Sequence, residues 1–312
     1  MKNEDGSIID CIEISKQPAF DHPLLKNHTI QLQPSFIPKG LFGEKVGAGA
    51  SSKRRGVDCP TGTVPIRRTT KDDLLRAKAL PTTFTMAQAP PSGNHYVSKL
   101  VKSNIYNRVY DQDKFATSGT AADPSQRFYG AYGFVSANNG QQGCYNILCS
   151  GFVQTSSQHY LGQEILQASQ YAGEQFSMVI FVYRDPITGN WLVIDSVNDE
   201  PKAQVGYWPG ALFTAGLAAS AGAVQFGGDV YSPPNEPPPA MGSGHFEVPD
   251  FIHTSYISSI ELVDSANNTY APDEIKFADV GEKCYQAKYL GNTAQSTRFA
   301  SMFAGPGGPS CM

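Results

Sequence analysis

The clearest hydrophobic pattern lies at residues 176–197, FSMVIFVYRDPITGNWLVIDSV. Two runs rich in Val, Ile, Phe, Tyr and Trp flank Asp185-Pro186-Ile187-Thr188-Gly189-Asn190, whose Pro and Gly suit a tight loop. The pattern predicts a β-hairpin. Its first arm is apolar almost throughout, so both of its faces are expected to be covered. Further strands are predicted at RFYGAYGFV (127–135), SGFVQTS (150–156), AVQFGGDVY (223–231), SYISSIELVD (255–264) and KCYQAKYL (283–290). Strands at this spacing favour an all-β, antiparallel β-sandwich over alternating βα units. Pro209 ahead of ALFTAGLAASA predicts a short helix. SPPNEPPP (232–239) predicts an exposed, partly extended loop. There is no internal repeat.

Residues 1–80 read differently, with Lys and Arg clusters and few strand patterns. Thr70 as a cap, Asp73 three residues on and the run DLLRAKAL predict one short helix. PTTFTMAQAPPSGN (81–94) is uncharged and Pro-rich, and reads as a linker or a processing region. The boundary falls there. The expectation is a mostly irregular N-terminal region over 1–85 and a β-domain over 86–312.

Composition narrows the classes. Of 312 residues 17% are charged, while Gly (30), Pro (22), Tyr (15) and Phe (17) are plentiful, the balance of a turn-rich β protein. The net charge of −4 offers no basic field for nucleic acid. Lys53-Arg54-Arg55 lies in a Gly/Ser-rich loop and reads as a solvated linker, with a processing site as the sharper alternative. The uncharged stretch 208–228 holds too little Leu, Ile and Val for a membrane span.

The six cysteines, Cys11, Cys59, Cys144, Cys149, Cys284 and Cys311, suit a disulfide framework, for which fifteen pairings exist. Cys144 and Cys149 are close enough to close a tight local loop. The histidines do not cluster with the cysteines at zinc-site spacing, so neither metal nor cofactor is expected. Sequons at Asn27-His28-Thr29 and Asn267-Asn268-Thr269 agree with a secreted, oxidising setting. The opening MKNEDGSIID carries no charged-then-apolar leader. Two readings stand: a cytosolic protein, or a chain whose leader lies upstream.

Candidate chemistry centres on VQFGGDVYSPP (224–234). Two glycines precede an acid in a strand-like run, and Gly in a strand marks a bulge or a close approach to the backbone. Asp229 is a catalytic carboxylate or a solvated strand end. Two close carboxylates can share one proton, because both cannot ionise cheaply. The ionised member then activates water, and the protonated member assists the carbonyl or the leaving amine. One carboxylate alone cannot take both parts.

Several strings carry a resemblance. IIDCIEISKQPAFDHPLLKNHTIQLQPSF and TVPIRRTTKDDLLRA are similar to the activation propeptide of the plant neprosin family. GCYNILCSGFVQT, GNWLV, VGYWPGALF, QFGGDV, MGSGHF and GPGGPSC follow in the order of its catalytic domain. The resemblance implies a secreted β-sandwich preceded by an inhibitory propeptide. It implies a glutamic endopeptidase that acts in acid, prefers to cut after proline and carries two glutamates across a cleft. It also implies the pairs Cys11–Cys59, Cys144–Cys149 and Cys284–Cys311.

Two departures stand out. The family's second catalytic glutamate follows Gly-Gly, where this chain has Asp229. The family's first glutamate sits in a Glu-Ala-Gly-Trp-Gln-Val type motif, and this chain has no glutamate between Glu44 and Glu164. The nearest alignment puts Asn104 at that position, in a region shortened near 100–125. Asp111, Asp113 and Asp123 are the acids nearby. Tyr207 and Trp208, ahead of Pro209, are candidate cleft walls for a peptide. Ser243 lacks nucleophile-elbow spacing, His245 reads as a loop histidine, and Glu164, Glu174, Glu247 and Glu261 read as surface groups. The expectation is a peptidase impaired by its missing first glutamate. The alternative is a non-catalytic peptide- or glycan-binding sandwich. Glycoside hydrolysis also needs two carboxylates and meets the same gap.

Overall fold

A computed structural model describes residues 7–38, 50–51, 57–71, 101–104, 128–135, 147, 150–163, 169–177, 179–196, 203–213, 216–220, 224–231, 237, 240–271, 284–292 and 299–311. Its strands are β1 (Ile9–Glu13), β2 (Ala50–Ser51), β3 (Thr63–Arg67), β4 (Val101–Asn104), β5 (Phe128–Val135), β6 (Val153–Gln154), β7 (Phe176–Ser177) and β8 (Val179–Arg184). They continue as β9 (Trp191–Ser196), β10 (Ala203–Trp208), β11 (Val224–Tyr231), β12 (Ser255–Val263), β13 (Thr269–Tyr270), β14 (Gln286–Asn292) and β15 (Phe299–Ala304). The class is all-β. The main sheet runs β14-β15-β12-β4-β8-β9-β10-β6, with β13 beside β12, and its ladders are antiparallel. β5 and β11 form a separate antiparallel ladder, and so do β1 and β3.

The hairpin expected over 176–197 is present as β8 and β9, joined by the turn at 185–190. Alternation along its arms sends side chains to two faces. Phe181, Tyr183, Leu192 and Ile194 are buried on one face with Val153 and Tyr207. Ile180 and Val193 are buried on the other with Val205, Phe152, Ile257, Ile260 and Phe303. Removing each large side chain from water contributes about 2 kcal/mol. The first face is covered by the N-terminal region itself, through Ala19 and the partly buried Phe20 and Ile30. The apolar first arm was legible as doubly covered; the identity of its cover was not.

Several elements differ from expectation. The strand predicted at 150–156 is only two residues long, because the amides of Thr155 and Ser156 both turn onto the Val205 carbonyl. Across from it, Gly206 allows β10 and β6 to approach, since a Cβ there would run into the Val153 carbonyl and the Phe152 ring. The strand predicted at 283–290 begins at Gln286 and reaches Asn292. The helix expected after Pro209 is a 3-10 turn, Gly210–Leu212, followed by a four-residue helix, Gly216–Ala219. β12 shifts register between Ser258 and Ile260, with Ser259 at φ 52°. Residues 255–257 pair with β15 and residues 258–262 with β4, so one strand serves two ladders.

The N-terminal region is mostly irregular, as expected, with one ladder that its sequence did not announce. β1 and β3 pair in register from Ile9↔Arg67 to Glu13↔Thr63. The exposed Asp10–Arg68 pair extends that ladder, and Arg68's guanidinium hydrogen bonds hold the Asp10 carboxyl below the usual range. Lys71 is helical, while the rest of the predicted helix (72–80), the linker 81–94 and all of 232–239 except Pro237 lie outside the described residues. Among the described residues no helix is long and apolar enough to cross a membrane.

Two of the three disulfides implied by resemblance are present, Cys11–Cys59 and Cys284–Cys311. Cys144 and Cys149 lie outside the described residues. Cys284–Cys311 ties the approach to β14 to the last 3-10 turn across 27 residues. In the chain-entropy view, a loop of that length contributes about 3.5 kcal/mol. The double Cys284→Ser/Cys311→Ser chain is therefore expected to lose about that much in urea unfolding. A loss below about 1 kcal/mol would show that the C-terminus is held by packing alone.

Candidate functional site

The site is best built from the N-terminal segment upward. Pro18 and Pro23 occupy first-turn positions, where the missing N–H costs nothing, and start the 3-10 turns Pro18–Asp21 and Pro23–Leu25. These compact turns seat Ala19 and Leu25, both buried, against the main domain. The chain then runs without regular secondary structure from His28 to Pro38. An irregular segment on a sheet must satisfy its backbone groups with side chains.

Gln31 is where this happens most densely. Its amide N–H donates to the Tyr207 hydroxyl at 2.8 Å, and its carbonyl accepts from Gln204 Nε2 at 3.1 Å. Its side-chain Nε2 donates to Asp185 Oδ2 at 2.9 Å and to Ser35 Oγ at 3.2 Å. Its Oε1 accepts from Asn190 Nδ2 at 2.7 Å and from Thr188 Oγ1 at 2.9 Å. Four residues on, the Ser35 amide donates to Asp185 Oδ2 at 2.7 Å, and the Tyr183 hydroxyl donates to the Phe36 carbonyl at 2.9 Å.

Asp185 anchors both the segment and the hairpin turn. It is fully buried, and its Oδ1 accepts from the amides of Ile187 and Thr188 at 2.9 and 3.1 Å. Burial alone would raise its pKa. Hydrogen bonds from the Ser35, Thr188 and Ile187 amides and from Gln31 outweigh that and hold the carboxyl below its ordinary value.

Tyr207 supplies the second anchor. Its hydroxyl accepts from Gln31 N and lies 2.8 Å from His28 Nε2, where it donates its own hydrogen when that nitrogen is bare. That assignment requires a neutral His28 with Nε2 unprotonated. Burial lowers the His28 pKa, in keeping with the neutral ring. Burial, opposed by the Gln31 donor, pushes the Tyr207 phenol up to about 12.

A third anchor sits at the sheet edge. The buried Gln17 accepts from the Gln154 amide at 2.6 Å and donates to the Gln154 carbonyl at 3.0 Å. A side-chain carboxamide thus takes the place of one peptide unit beside β6. Further contacts join Ile9, Val57 and Cys59 to Tyr160 in one buried cluster, and β2 to β7 in a short parallel pair.

The residues singled out from sequence fall as follows. Asp229 lies in β11 opposite Gly130 of β5. Asn104 ends β4 opposite Ser258 of β12, in the main sheet rather than on the β5–β11 ladder. Tyr207 is fully buried under the N-terminal segment, and Trp208 packs edge-on against Phe152 at 4.8 Å. Ser243 donates to the His245 carbonyl and accepts from the His245 amide, which is loop geometry rather than an activated nucleophile. Glu174 and Glu247 are exposed and Glu261 is partly buried. Asn27 is exposed and Asn267 is partly buried at φ 64°. Asp111, Asp113, Asp123 and Glu164 lie outside the described residues.

Sequence reading missed Gln31, Asp185 and Asn190 as a group. QLQPSF resembles any polar loop, and Asp185 was legible only as a turn residue. The buried Asp195 on β9, with His159 Nδ1 at 3.4 Å, was missed as well.

A β-domain whose sheet face is filled by the chain's own N-terminal segment defines a protein carrying its propeptide in place. The comparison with known families agrees: the chain belongs to the neprosin family, with residues 104–306 matching Neprosin and residues 1–108 matching Neprosin activation peptide. It is therefore a protein of peptidase-type ancestry with an intramolecular propeptide.

Proposed function

We propose that this chain is a secreted, acid-acting peptide hydrolase of the glutamic type, cutting near proline, held latent by its N-terminal segment and impaired in its dyad. The observation that carries the reading is the hold on Gln31 to Phe36. Side chains of the sheet and of its 185–190 turn bind main-chain N–H and C=O groups there as well as one side chain, which is how a polypeptide is recognised. Family membership supports the peptidase class. Asp229, directly after Gly227-Gly228, is the carboxylate assigned to the family's second glutamate position. Asn104, at the position of the first, cannot take or give up a proton. Asp is also one methylene shorter than Glu, and a displacement of about 1 Å costs about a hundredfold in rate.

The test uses the purified chain, acid-treated, with a proline-containing peptide and mass detection. Slow cleavage after proline is expected, abolished by Asp229→Ala and raised by up to about a hundredfold by Asp229→Glu. Cleavage that survives Asp229→Ala removes the site assignment. Peptide binding without any cleavage replaces the hydrolase with the non-catalytic peptide-binding module, to which the same polypeptide-holding face is equally suited. Secretion is read independently, as a glycosidase-sensitive mass on the exposed Asn27.

A further inference from the structure

We propose that the sheet face under residues 31–36 is a glutamine-selective peptide-binding site, filled in cis by Gln31 and open to a glutaminyl peptide in trans once the segment leaves. The inference rests on the reading that the N-terminal segment is displaced, and it goes beyond that reading by naming the ligand chemistry.

The selectivity follows from fixed polarity at two neighbouring positions. The ionised Asp185 offers only acceptor oxygens, and its Oδ1 is already committed to the Ile187 and Thr188 amides. The ligand atom beside Oδ2 must therefore be a donor. Asn190 is oriented by the Gly210 amide, which donates to its Oδ1 at 2.8 Å. Its NH2 group must then face the ligand, so the ligand atom beside it must be an acceptor, and Thr188 adds a second donor at the same point. A donor and an acceptor on one planar group describe a carboxamide. A glutamate would put a second anionic oxygen against Asp185, and a lysine would offer Asn190 nothing to bind. Asparagine is one methylene too short.

Main-chain contacts fix the register around that side chain. Tyr207 and Gln204 hold the N–H and C=O of the glutamine itself. Asp185 and Tyr183 then hold the amide four residues on and the carbonyl after it. Six side chains thus match both the side chain and the backbone of a peptide. None of these contacts depends on Asp229, so binding and cleavage are separable.

The experiment uses the full-length chain carrying Gln31→Glu at pH 7, where the new carboxylate is expected to expel residues 31–36. Exchange of the Gln31→Glu and Ser35 amides reports the release. Fluorophore-labelled acetyl-QLQPSF-amide and acetyl-ELQPSF-amide are then titrated by anisotropy. The glutaminyl peptide is expected to bind about a hundredfold more tightly than the glutamyl one. Thr188→Val is expected to narrow that gap several-fold. The unsubstituted chain should bind neither, because its own segment competes at high effective concentration.

Equal binding of the two peptides, no binding to a released chain, or a Gln31→Glu segment that stays protected would each overturn the proposal. Should Gln31→Glu fail to fold, Gln31→Leu vacates both polar positions without adding charge, and the same outcomes apply. Cleavage is scored by mass on portions of the same samples after acid treatment, the condition in which the proposed hydrolase acts. Selective binding without cleavage sustains this proposal and removes the hydrolase. Cleavage without selectivity does the reverse.

Discussion

The Asp185→Ala chain is expected to unfold at a midpoint about 6 °C lower than the unsubstituted chain, with residues 28–36 released from the sheet first. The reason lies in the company this carboxylate keeps. It is fully buried and receives four hydrogen bonds, two from its own turn and two from the N-terminal segment. Truncation takes the acceptor from four donors, three of them on the exposed residues Ser35, Ile187 and Thr188, and each lost hydrogen bond costs about 1 kcal/mol. Together they give a net loss of about 4 kcal/mol. For a chain of this size each kcal/mol moves the midpoint by about 1.5 °C. Asp185→Asn keeps the shape but turns one acceptor into a donor facing donors, so about half the loss is expected. Calorimetry on the three chains decides. A midpoint for Asp185→Ala within about 2 °C of the unsubstituted chain would mean that the clasp is incidental.

Acid is expected to loosen the same segment in two stages. His28 acts first. Docked, its pKa lies below the ordinary 6.5 because of burial, and its bare Nε2 accepts the Tyr207 hydrogen. A depressed docked pKa contributes stability that is present above 6.5 and is lost as pH falls through the docked value. In structural terms, protonation puts a hydrogen on the nitrogen that the hydroxyl must donate to. Asp185 follows. Its carboxyl also lies below its ordinary 3.8, so its contribution is present above that value and fades as pH drops through the lower one. All four of its hydrogen bonds come from N–H groups, so a proton on either oxygen meets a donor. Protection factors for the Gln31 and Ser35 amides, corrected for intrinsic exchange, are expected to fall as pH drops below about 6.5, and further below about pH 4. In His28→Phe the first stage should vanish and the second should remain. Protection that rises with acid would reverse the sign assigned to both groups.

How much of this was legible in advance varies with the range of the interaction. The β8–β9 hairpin was readable because turn chemistry and apolar runs are local, and Asp185-Pro186-Ile187-Thr188-Gly189-Asn190 declares itself. β5, β11 and β12 were readable for the same reason. β1 and β3 were not, because their ladder joins residues fifty or more positions apart and neither strand has strong alternation. β10 was read only as aromatic cleft lining at Tyr207 and Trp208. In fact Tyr207 points its hydroxyl at the N-terminal segment while Trp208 packs on Phe152. The glycines of QFGGDV were expected to mark a bulge or a close approach to the backbone, and β11 pairs without a bulge from Val224 to Tyr231. The Gln31 site could not be read at all. It gathers one glutamine from the N-terminal region, a turn near 185–190 and a strand at 203–208, and no single stretch shows an unusual composition.

The central claim is that the N-terminal segment occupies the main sheet through Gln31. Native-state amide exchange of the unsubstituted chain at pH 7 addresses it most directly. The claim predicts that the Gln31 and Ser35 amides, each bonded to a buried side chain, exchange about a thousandfold more slowly than in a free peptide of the same sequence. Exchange of both at the free-peptide rate, with β8 and β9 still protected, would show an unoccupied sheet and contradict it.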